Sequence, residues 1–573
     1  MARLFDEHLV RRVTDLSGTW KFSTDPEDLG ERDGWNVSLP AGETVAVPSC
    51  WNNESGLLSY EGAAWYEKKF YTAGGCLRFC FGAVMTEATV WLDGSLLGRH
   101  YGGFSQFDFI VPKVKEGYHT LTVRADNRFD AQSIPQKSVD WYHYGGITRG
   151  VSVETLVGIS VLSYRLEYEL SNDLSDVEGH FAVECYNADE TGKTAPLSIS
   201  LGDTCVYQGE ITVSGRKTVC VTLPSFQLQN VQLWNVGAPK LYDVYIKTDT
   251  DDLFDRVGFR KVEVKNGKIL LNHKPVEMRG VNRHEEHPDF GMAFPLGRMK
   301  HDLDLIEDLG CNAIRGSHYP NSQEFVDYMD ERGILFWSEI PIWGCGFSVD
   351  ALADPVVVER GLEMHREMVK YYYNHPSVIF WGMHNEITSN NEAAYEMSKL
   401  YYNYLKENGG NRLVVYASHQ PMTDICLEYS DVICLNLYYG WYGWYSDALS
   451  SWEDALNNFC KHRDELGLSD KPIIMSEFGA AALYGFHDAE RPKWSEEYQA
   501  ELLSHCLQVF HTHPAMVGSF IWQFCDIRTC SEMGFSRARG FNNKGIMNEN
   551  RRPKAAYYAV RDRYRAFAEE DRT

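Results

Sequence analysis

The chain has 573 residues, 44% of them hydrophobic, and a formal net charge of −25 at pH 7. Because domains average roughly 100–200 residues, a chain of this length is expected to fold as about three domains. The negative charge, without any concentrated basic stretch, argues against nucleic acid or an anionic membrane surface as partner.

The first thirty residues contain no apolar segment of signal-peptide length, and no later run approaches the ~18 apolar residues of a membrane span. We therefore expect a cytoplasmic protein. The fourteen cysteines are scattered singly along the chain, which favours free thiols over disulfides. Cys76 with Cys80 and Cys525 with Cys530 lack a second pair at zinc-site spacing, so no structural metal is expected.

The first two predicted units are rich in β-strands. Residues 1–156 alternate short apolar strands with turn residues, as in Gly18–Phe22 and Thr120–Arg124, and this spacing predicts a jelly-roll-like β-sandwich. Residues 157–262 continue with strands such as Gly179–Cys185 and Leu241–Ile246. The size of this second segment predicts an immunoglobulin-like β-sandwich.

Residues 263–573 change to a repeated pattern of strand, loop and helix. Between the first two strands, Met299, Leu303, Ile306 and Leu309 fall on one face of a predicted helix. Eight such units close a (β/α)8 TIM barrel, in which the active site lies at the carboxyl ends of the strands. The predicted strands are Val276–Val281, Ala313–Arg315, Ile334–Trp337, Val378–Met383, Leu413–Tyr416, Val432–Leu437, Ile473–Met475 and Ser519–Phe524.

Two glutamates follow strands four and seven of this barrel. Glu386 ends the segment Trp-Gly-Met-His-Asn-Glu, and Glu477 lies in Ile-Ile-Met-Ser-Glu-Phe-Gly. Retaining glycoside hydrolysis needs one protonated carboxyl for the leaving oxygen and one carboxylate, about 5 Å away, to attack the anomeric carbon. Two carboxyls this close cannot both ionise cheaply, so one pKa rises. Asn385 beside Glu386 supplies an amide suited to hydrogen-bond a sugar hydroxyl. The sequence alone does not decide which glutamate is the acid and which is the nucleophile.

Short motifs surround the other predicted strand ends. They are Val281-Asn-Arg-His-Glu285, Ile314-Arg-Gly-Ser-His-Tyr-Pro320, Asn374-His-Pro-Ser-Val378 and Asn542-Asn-Lys544-Gly-Ile546. Together with the glutamates they resemble glycoside hydrolase family 2 over nearly the full chain, and within it the bacterial β-glucuronidases without a long active-site loop. The resemblance implies a sugar-binding-type sandwich, an immunoglobulin-like module and a catalytic barrel. It also implies Glu386 as acid/base, Glu477 as nucleophile, and retaining exo-β-glucuronidase activity through a covalent glycosyl-enzyme intermediate.

The substrate class depends on whether the pocket neutralises a carboxylate. A uronic acid carries a negative charge at C6, and its desolvation requires a cation and hydrogen-bond donors. Asn542 and Lys544 follow strand eight, and the resemblance implies that they bind this carboxylate. Family members place an arginine shortly before this pair. Here Ala538 separates Arg537 from Arg539, either of which could serve, and Arg539 is the predicted residue.

The resemblance implies further sugar contacts at the mouth. His318 would bond a ring hydroxyl, and Trp522 would stack on the sugar face. Tyr442 would form a hydrogen bond near the nucleophile, while Tyr438 would shape the pocket. Asp140, in a loop of the first unit, would accept a hydrogen bond from a sugar hydroxyl. From the sequence alone, packing explains Tyr438 and Trp522 equally well.

Other activities remain open at this point. The segment 282–288, Asn-Arg-His-Glu-Glu-His-Pro, is closer to β-galactosidases, which keeps a neutral-sugar enzyme in consideration. A β-galacturonidase or a hybrid uronidase is the nearer alternative, since the C4 epimer keeps the charge. A carbohydrate-binding protein on an inactive barrel is the alternative outside enzymes, and the two retained glutamates argue against it.

The resemblance also gives expectations about the mouth, cofactors and assembly. Only a short loop follows Glu339, so we expect an open mouth that accepts oligosaccharide or bulky glucuronides. Neither a metal nor an organic cofactor is expected for catalysis. Some relatives with open mouths bind a flavin nucleotide at a surface site, which the sequence neither indicates nor excludes. A homo-oligomer, dimer or tetramer, is expected.

Overall fold

The computed structural model describes residues 3–344, 346–443, 445, 446 and 448–570. Its first unit is built from strands β1 (Arg12–Asp15), β2 (Gly18–Asp25), β3 (Glu43–Val47), β4 (Ala63–Thr72), β5 (Gly75–Phe81), β6 (Val84–Met85), β7 (Glu87–Leu92), β8 (Ser95–Tyr101), β9 (Phe107–Val114), β10 (Gly117–Asp126), β11 (Gly146–Ile147) and β12 (Val151–Leu156). The two main sheets have the orders β1-β12-β5-β9 and β3-β2-β4-β10-β7-β8, and β11 pairs with β6. Side chains of both main sheets, among them Phe79 and Val123, share one apolar core.

The second unit is also made of strands whose side chains alternate between core and solvent. In Lys193–Leu201 the side chains of Ala195, Leu197, Ile199 and Leu201 are buried, which is the period-two pattern of a strand with one buried face. The strands are β13 (Ile159–Leu170), β14 (Val177–Asn187), β15 (Lys193–Leu201), β16 (Thr204–Val213), β17 (Thr218–Thr222), β18 (Phe226–Leu228), β19 (Tyr242–Lys247) and β20 (Asp252–Val257). They form two sheets with the orders β13-β14-β17, with β18 also paired to β14, and β16-β15-β19-β20.

The third unit is a closed parallel barrel, preceded by a small sheet of β21 (Val262–Lys265), β22 (Lys268–Leu271) and β23 (Lys274–Pro275). The barrel strands are β24 (Met278–Asn282), β25 (Ala313–Gly316), β26 (Leu335–Glu339), β27 (Val378–Asn385), β28 (Leu413–Ser418), β29 (Ile433–Asn436), β30 (Ile473–Phe478) and β31 (Met516–Ile521). The first strand pairs with both the second and the last, which closes the ring. The predicted fold class, β-rich units followed by a (β/α)8 barrel, is confirmed.

Helices cover the outside of the barrel. They are α1 (Leu296–Asp308), α2 (Gln323–Arg332), α3 (Val349–Ala353), α4 (Pro355–Tyr372), α5 (Glu392–Asn408), α6 (Ser451–Glu465), α7 (Glu496–Thr512) and α8 (Ala555–Glu570). The predicted apolar stripe of the first helix is buried at Met299, Leu303 and Ile306, and Leu309 follows directly after the helix. A last short pair, β32 (Ile527–Arg528) and β33 (Phe541–Asn542), forms a hairpin after the eighth barrel strand.

The predicted barrel strands are present, but some ends are displaced. The eighth was predicted to continue to Phe524, whereas β31 ends at Ile521. After that residue the chain bonds to the loops of the mouth: Gln523 N donates to Lys544 O at 3.1 Å. The apolar run therefore includes residues that leave the barrel and enter the mouth.

The N-terminal segment joins the three units. Arg3 is buried and donates to Asp255 of β20 and to Asp327 of α2, both at 2.8 Å. The cysteines within the described residues carry free thiols, as predicted, and Cys345 lies outside those residues. No helix in the described part of the chain is both long and apolar enough to cross a membrane.

Candidate active site

A cavity of about 450 Å³ opens at the carboxyl ends of the barrel strands. Both predicted catalytic glutamates face it, and the loop between β10 and β11 adds one side chain from the first unit. The cavity therefore spans two structural units. Its lining residues are Asp140, Trp343, Glu386, His419, Asn436, Tyr438, Tyr442, Tyr445, Glu477, Trp522, Met533, Ser536, Arg537 and Lys544.

Glu386 leaves β27 in a left-handed backbone conformation. Its φ is +53°, a region that costs a residue with a side chain roughly 1 kcal/mol or more. The pairing of β27 with β28 shifts register between Gly382 and Asn385, and Glu386 N donates to Ala417 O at 2.9 Å. In the cavity, Glu386 Oε1 accepts a hydrogen bond from Asn436 Nδ2 at 2.8 Å. Such local strain is found at functional sites, where the surrounding contacts hold it in place.

Glu477 accepts hydrogen bonds from two side chains. Arg315 Nη1 donates to Oε1 at 2.9 Å and the Tyr438 hydroxyl donates to Oε2 at 2.8 Å. Burial and repulsion by Glu386 raise the pKa of Glu477 to about 8, while Arg315 and Tyr438 act in the opposite direction. The charge of Glu386 therefore acts directly on the nucleophile predicted opposite it.

Arg315 connects the nucleophile to the acid side of the site. This fully buried side chain donates twice to Glu339, each time at 3.0 Å, and to Asn385 Oδ1 at 2.7 Å. Arg315 and Glu339 were not among the site residues predicted from the sequence. An arginine within the apolar strand Ala313–Gly316 was the available signal, because a buried guanidinium needs carboxylate partners.

Two of the predicted sugar contacts have a buried polar nitrogen available for a ligand. Within the described residues, Asn385 Nδ2 and His318 Nε2 have no hydrogen-bond partner. His318 Nδ1 lies 2.6 Å from Glu339 Oε1. Burial and the nearby Arg315 lower the pKa of His318 well below its usual value, so the ring is neutral and Nε2 offers a lone pair. The Trp522 ring stacks on His318 with centroids 5.1 Å apart, and it forms a wall of the cavity.

The two tyrosine hydroxyls have different partners in the cavity. The hydroxyl of Tyr438, which was predicted to shape the pocket, is bonded to Glu477. The hydroxyl of Tyr442, for which a hydrogen bond near the nucleophile was predicted, accepts one from Lys544 Nζ at 2.8 Å. Tyr438 therefore supports the nucleophile, and Tyr442 holds the lysine.

Two cations occupy one wall of the cavity. Lys544 is 1% exposed, and its ammonium lies 4.9 Å from the centre of the Tyr442 ring. Arg537 donates to Asp140 through Nε at 3.1 Å and through Nη2 at 2.5 Å. Two cations and one carboxylate leave a formal charge of +1 on this wall, so a singly charged anion would balance it.

Asp140 and Asn542 support this wall from behind. Asp140 accepts from Asn542 Nδ2 at 2.7 Å and from Thr529 Oγ1 at 3.2 Å, in addition to Arg537. Asn542 is fully buried, and its Oδ1 accepts from the backbone nitrogen of Lys544 at 3.1 Å. The structure thus brings the predicted Asn542, Lys544 and Asp140 together, with Asn542 bonded to the residues that face the cavity.

The predicted role of Arg539 is wrong. Its side chain is 52% exposed and forms an ion pair with Glu549 at 3.0 Å. The residue has a left-handed φ of +61° in the hairpin loop between β32 and β33. Arg537, two residues earlier, lines the cavity instead.

A group of metal-type ligands in the described residues lies outside the cavity. It consists of Asp327, Asp330 and His375, all buried. Arg3 donates to Asp327, and Ser377 N donates to Asp330 at 2.9 Å, with His375 Nδ1 at 2.5 Å from the same carboxyl. Protein donors therefore account for these oxygens, and the group fixes the N-terminal segment to the barrel.

Two carboxyls that face one cavity at the carboxyl end of a (β/α)8 barrel, beside hydrogen-bonding and aromatic side chains, form the site of a glycoside hydrolase. The chain belongs to family 2 of these enzymes. The family model "Glycosyl hydrolases family 2, TIM barrel domain" matches residues 262–569, and the family model "Glycosyl hydrolases family 2" matches residues 159–260.

Several relatives are similar to the chain over nearly its whole length. A β-glucuronidase from Streptococcus agalactiae serotype V is 29% identical over 603 residues, covering 97% of this chain and 96% of the relative. The crystal structure of a family 2 β-galacturonidase from Eisenbergiella tayi bound to galacturonate has 34% identity and a TM-score of 0.92, covering 99% of both chains. The structure of Ruminococcus gnavus β-glucuronidase has 28% identity and a TM-score of 0.88, covering 99% of this chain and 98% of the other.

Proposed function

We propose that the chain is a retaining exo-β-glucuronidase that releases terminal β-D-glucuronic acid from glycosides. The observation that carries this proposal is the buried ammonium of Lys544 on the cavity wall. Within the described residues Lys544 forms no ion pair, and its ammonium donates to the neutral hydroxyl of Tyr442. A buried cation without a carboxylate is costly, so the site favours a ligand that brings one.

The C6 carboxylate of a uronic acid supplies the missing charge. Hydrogen bonds to charged groups contribute about 1.5–3 kcal/mol each, which corresponds to roughly 10- to 150-fold in affinity. Lys544 and Arg537 both line the cavity and offer such bonds. A neutral hexoside has a hydroxymethyl group at this position and leaves the charge of Lys544 unbalanced.

The catalytic pair supports a double displacement. Arg315 and Tyr438 donate to Glu477 and stabilise its ionised form, which suits it to the role of nucleophile. In the reactive form of the site, Glu386 gives a proton to the glycosidic oxygen while the carboxylate of Glu477 attacks the anomeric carbon. The aglycone leaves as an alcohol, and the sugar becomes an ester of Glu477. Glu386, now ionised, takes a proton from water, which attacks the same carbon and frees the sugar.

This chemistry uses only the two carboxyls and water. We therefore propose that turnover needs no metal and no organic cofactor, which dialysis against a chelator tests directly. A surface flavin nucleotide, if present, would show as absorbance of the purified protein in the flavin band. The homo-oligomer and the cytoplasmic location stay predictions.

A β-galacturonidase is the second candidate. It is favoured by the similarity to the galacturonate-bound enzyme from Eisenbergiella tayi, at 34% identity and a TM-score of 0.92. Glucuronide and galacturonide differ only in the configuration at C4, so the same cationic wall would balance either carboxylate. A purely carbohydrate-binding role has less support, because both carboxyls and the donors to Glu477 are in place for catalysis.

The test is hydrolysis of p-nitrophenyl β-glucuronide, β-galacturonide and β-galactoside, compared side by side. Lys544→Ala and Arg537→Ala should lower kcat/KM for the uronides by about 10-fold or more each, and Arg539→Ala, in the same loop, is the matched control. The ratio between the two uronides decides between the first and second candidates. Cleavage of the galactoside alone, unaffected by Lys544→Ala, would overturn the proposal.

A further inference from the structure

The barrel topology places the two ends of a bound glycoside on opposite sides of the mouth. The barrel is closed in the order β24 to β31, so β27 and β31 are four strands apart and face each other across the ring. Lys544 and Arg537 follow β31, whereas Glu386 follows β27. Because the acid protonates the leaving oxygen, the aglycone lies on the β27 side.

Trp343 is fixed beside the acid on this side. Gly344 N donates to Asn385 O at 2.8 Å, and Asn385 N donates to Ile342 O at 2.9 Å, so the backbone around Trp343 pairs with the residue before Glu386. The indole also packs edge-to-face on Trp141, with centroids 5.7 Å apart at 81°. These contacts hold a ring at the cavity wall in a fixed orientation.

His419 is the second ring on the acid side. It directly follows β28, the strand whose Ala417 O accepts from Glu386 N. Trp343 precedes the acid strand in the order of the ring and His419 follows it, and both line the cavity. The two rings therefore flank Glu386.

We infer that Trp343 and His419 form an aglycone subsite that binds the flat face of a ring in the leaving group. This inference rests on the proposed function, since it concerns the other half of the same substrate. Aromatic side chains stack on flat apolar faces, and both an aryl group and a pyranose ring offer one. The subsite places such a ring next to the proton of Glu386 and leaves the uronic acid end to the cationic wall.

The test compares three β-glucuronides that differ only in the aglycone: methyl, p-nitrophenyl and a pyranosyl sugar. Trp343→Ala and His419→Ala are measured against Tyr484→Ala, an aromatic residue that is 46% exposed and is not part of the cavity lining. Trp343→Leu keeps bulk without a ring if the alanine variant fails to fold. The inhibition constant of free glucuronic acid reports on the sugar half alone.

The expected result is a loss of roughly 10-fold in kcat/KM for at least one ring-bearing glycoside in the Trp343 and His419 variants. The methyl glycoside and free glucuronic acid should be unaffected, and the ring whose turnover falls more identifies the natural aglycone as aryl or sugar. Equal losses for all three glycosides, or no loss, would overturn the inference. If the wild type cleaves only another glycoside, the proposed function has failed, and the same aglycone series on that sugar still tests the subsite.

Discussion

Replacing Tyr438 with phenylalanine tests how the ionised form of the nucleophile is stabilised. The hydroxyl of Tyr438 donates to Glu477 Oε2 at 2.8 Å, while Arg315 donates to the other oxygen. Tyr438→Phe removes one of these donors and keeps the ring that packs against Tyr442 with centroids 5.2 Å apart. The change therefore isolates a single hydrogen bond to the carboxylate.

The size of the effect follows from the charge of the acceptor. A hydrogen bond to a charged group contributes about 1.5–3 kcal/mol, and here it stabilises only the ionised form of Glu477. Its loss should raise the pKa of Glu477 further, by about 1–2 units at 1.36 kcal/mol per unit. Since the nucleophile must be ionised, the acidic limb of the kcat/KM profile moves to higher pH by that amount.

The assay is kcat/KM for the cleaved uronide across the pH range, for the wild type and the variant. Tyr439→Phe is the matched control, because the neighbouring ring packs against Trp452, 5.2 Å away, in the core. On the acidic limb the Tyr438 variant should be about 10- to 100-fold slower, with a smaller loss on the plateau. An acidic limb at the same pH in the wild type and in Tyr438→Phe would refute the role given to this hydroxyl.

Two further predictions concern stability. Burial raises the pKa of Glu477 from 4.5 to about 8, so the folded state retains a proton that the unfolded state releases. The ionisation of Glu477 therefore lowers the free energy of unfolding as the pH rises from about 4.5 to about 8, by up to about 1.4 kcal/mol per pH unit. Glu477→Gln should abolish turnover and retain glucuronic acid binding. The variant should unfold at a higher temperature than the wild type at pH 8 but not at pH 4. The same difference in melting temperature between variant and wild type at both pH values would contradict this. Arg3→Ala leaves Asp255 and Asp327 without their cation and should cost about 3–5 kcal/mol in denaturant unfolding, whereas the exposed Arg32→Ala should cost almost nothing, and equal costs would contradict the pairing.

The barrel could be predicted because its strands are buried on both faces. Such strands appear as short apolar runs between helical segments, and each predicted run corresponds to a strand from β24 to β31. The end of the eighth strand was misplaced because Trp522 and Phe524 are as apolar as the strand itself. Between these two residues, Gln523 N donates to Lys544 O at 3.1 Å and Gln523 O accepts from Ile546 N at 2.9 Å, and local sequence does not encode these contacts with a loop of the mouth.

The catalytic pair could be predicted from position, since strand ends in a barrel meet at one mouth. Arg315 was missed, although a charged residue inside an apolar strand is a visible signal of a buried ion pair. The choice between Arg537 and Arg539 could not be made from sequence. Both lie in one irregular loop without periodicity, and the left-handed φ of +61° at Arg539 is a property of the folded hairpin.

The cationic wall depends on a contact that no local pattern predicts. Asp140 and Arg537 are 397 residues apart in the chain, yet they form a partly buried ion pair across two structural units. Asp140 holds both Arg537 and Asn542, and Asn542 in turn accepts from the backbone of Lys544. The orientation of the residues proposed to bind the carboxylate is thus set by the docking of the first sandwich on the barrel. The barrel alone carries both glutamates, but the proposed selectivity for uronic acids belongs to the assembled chain.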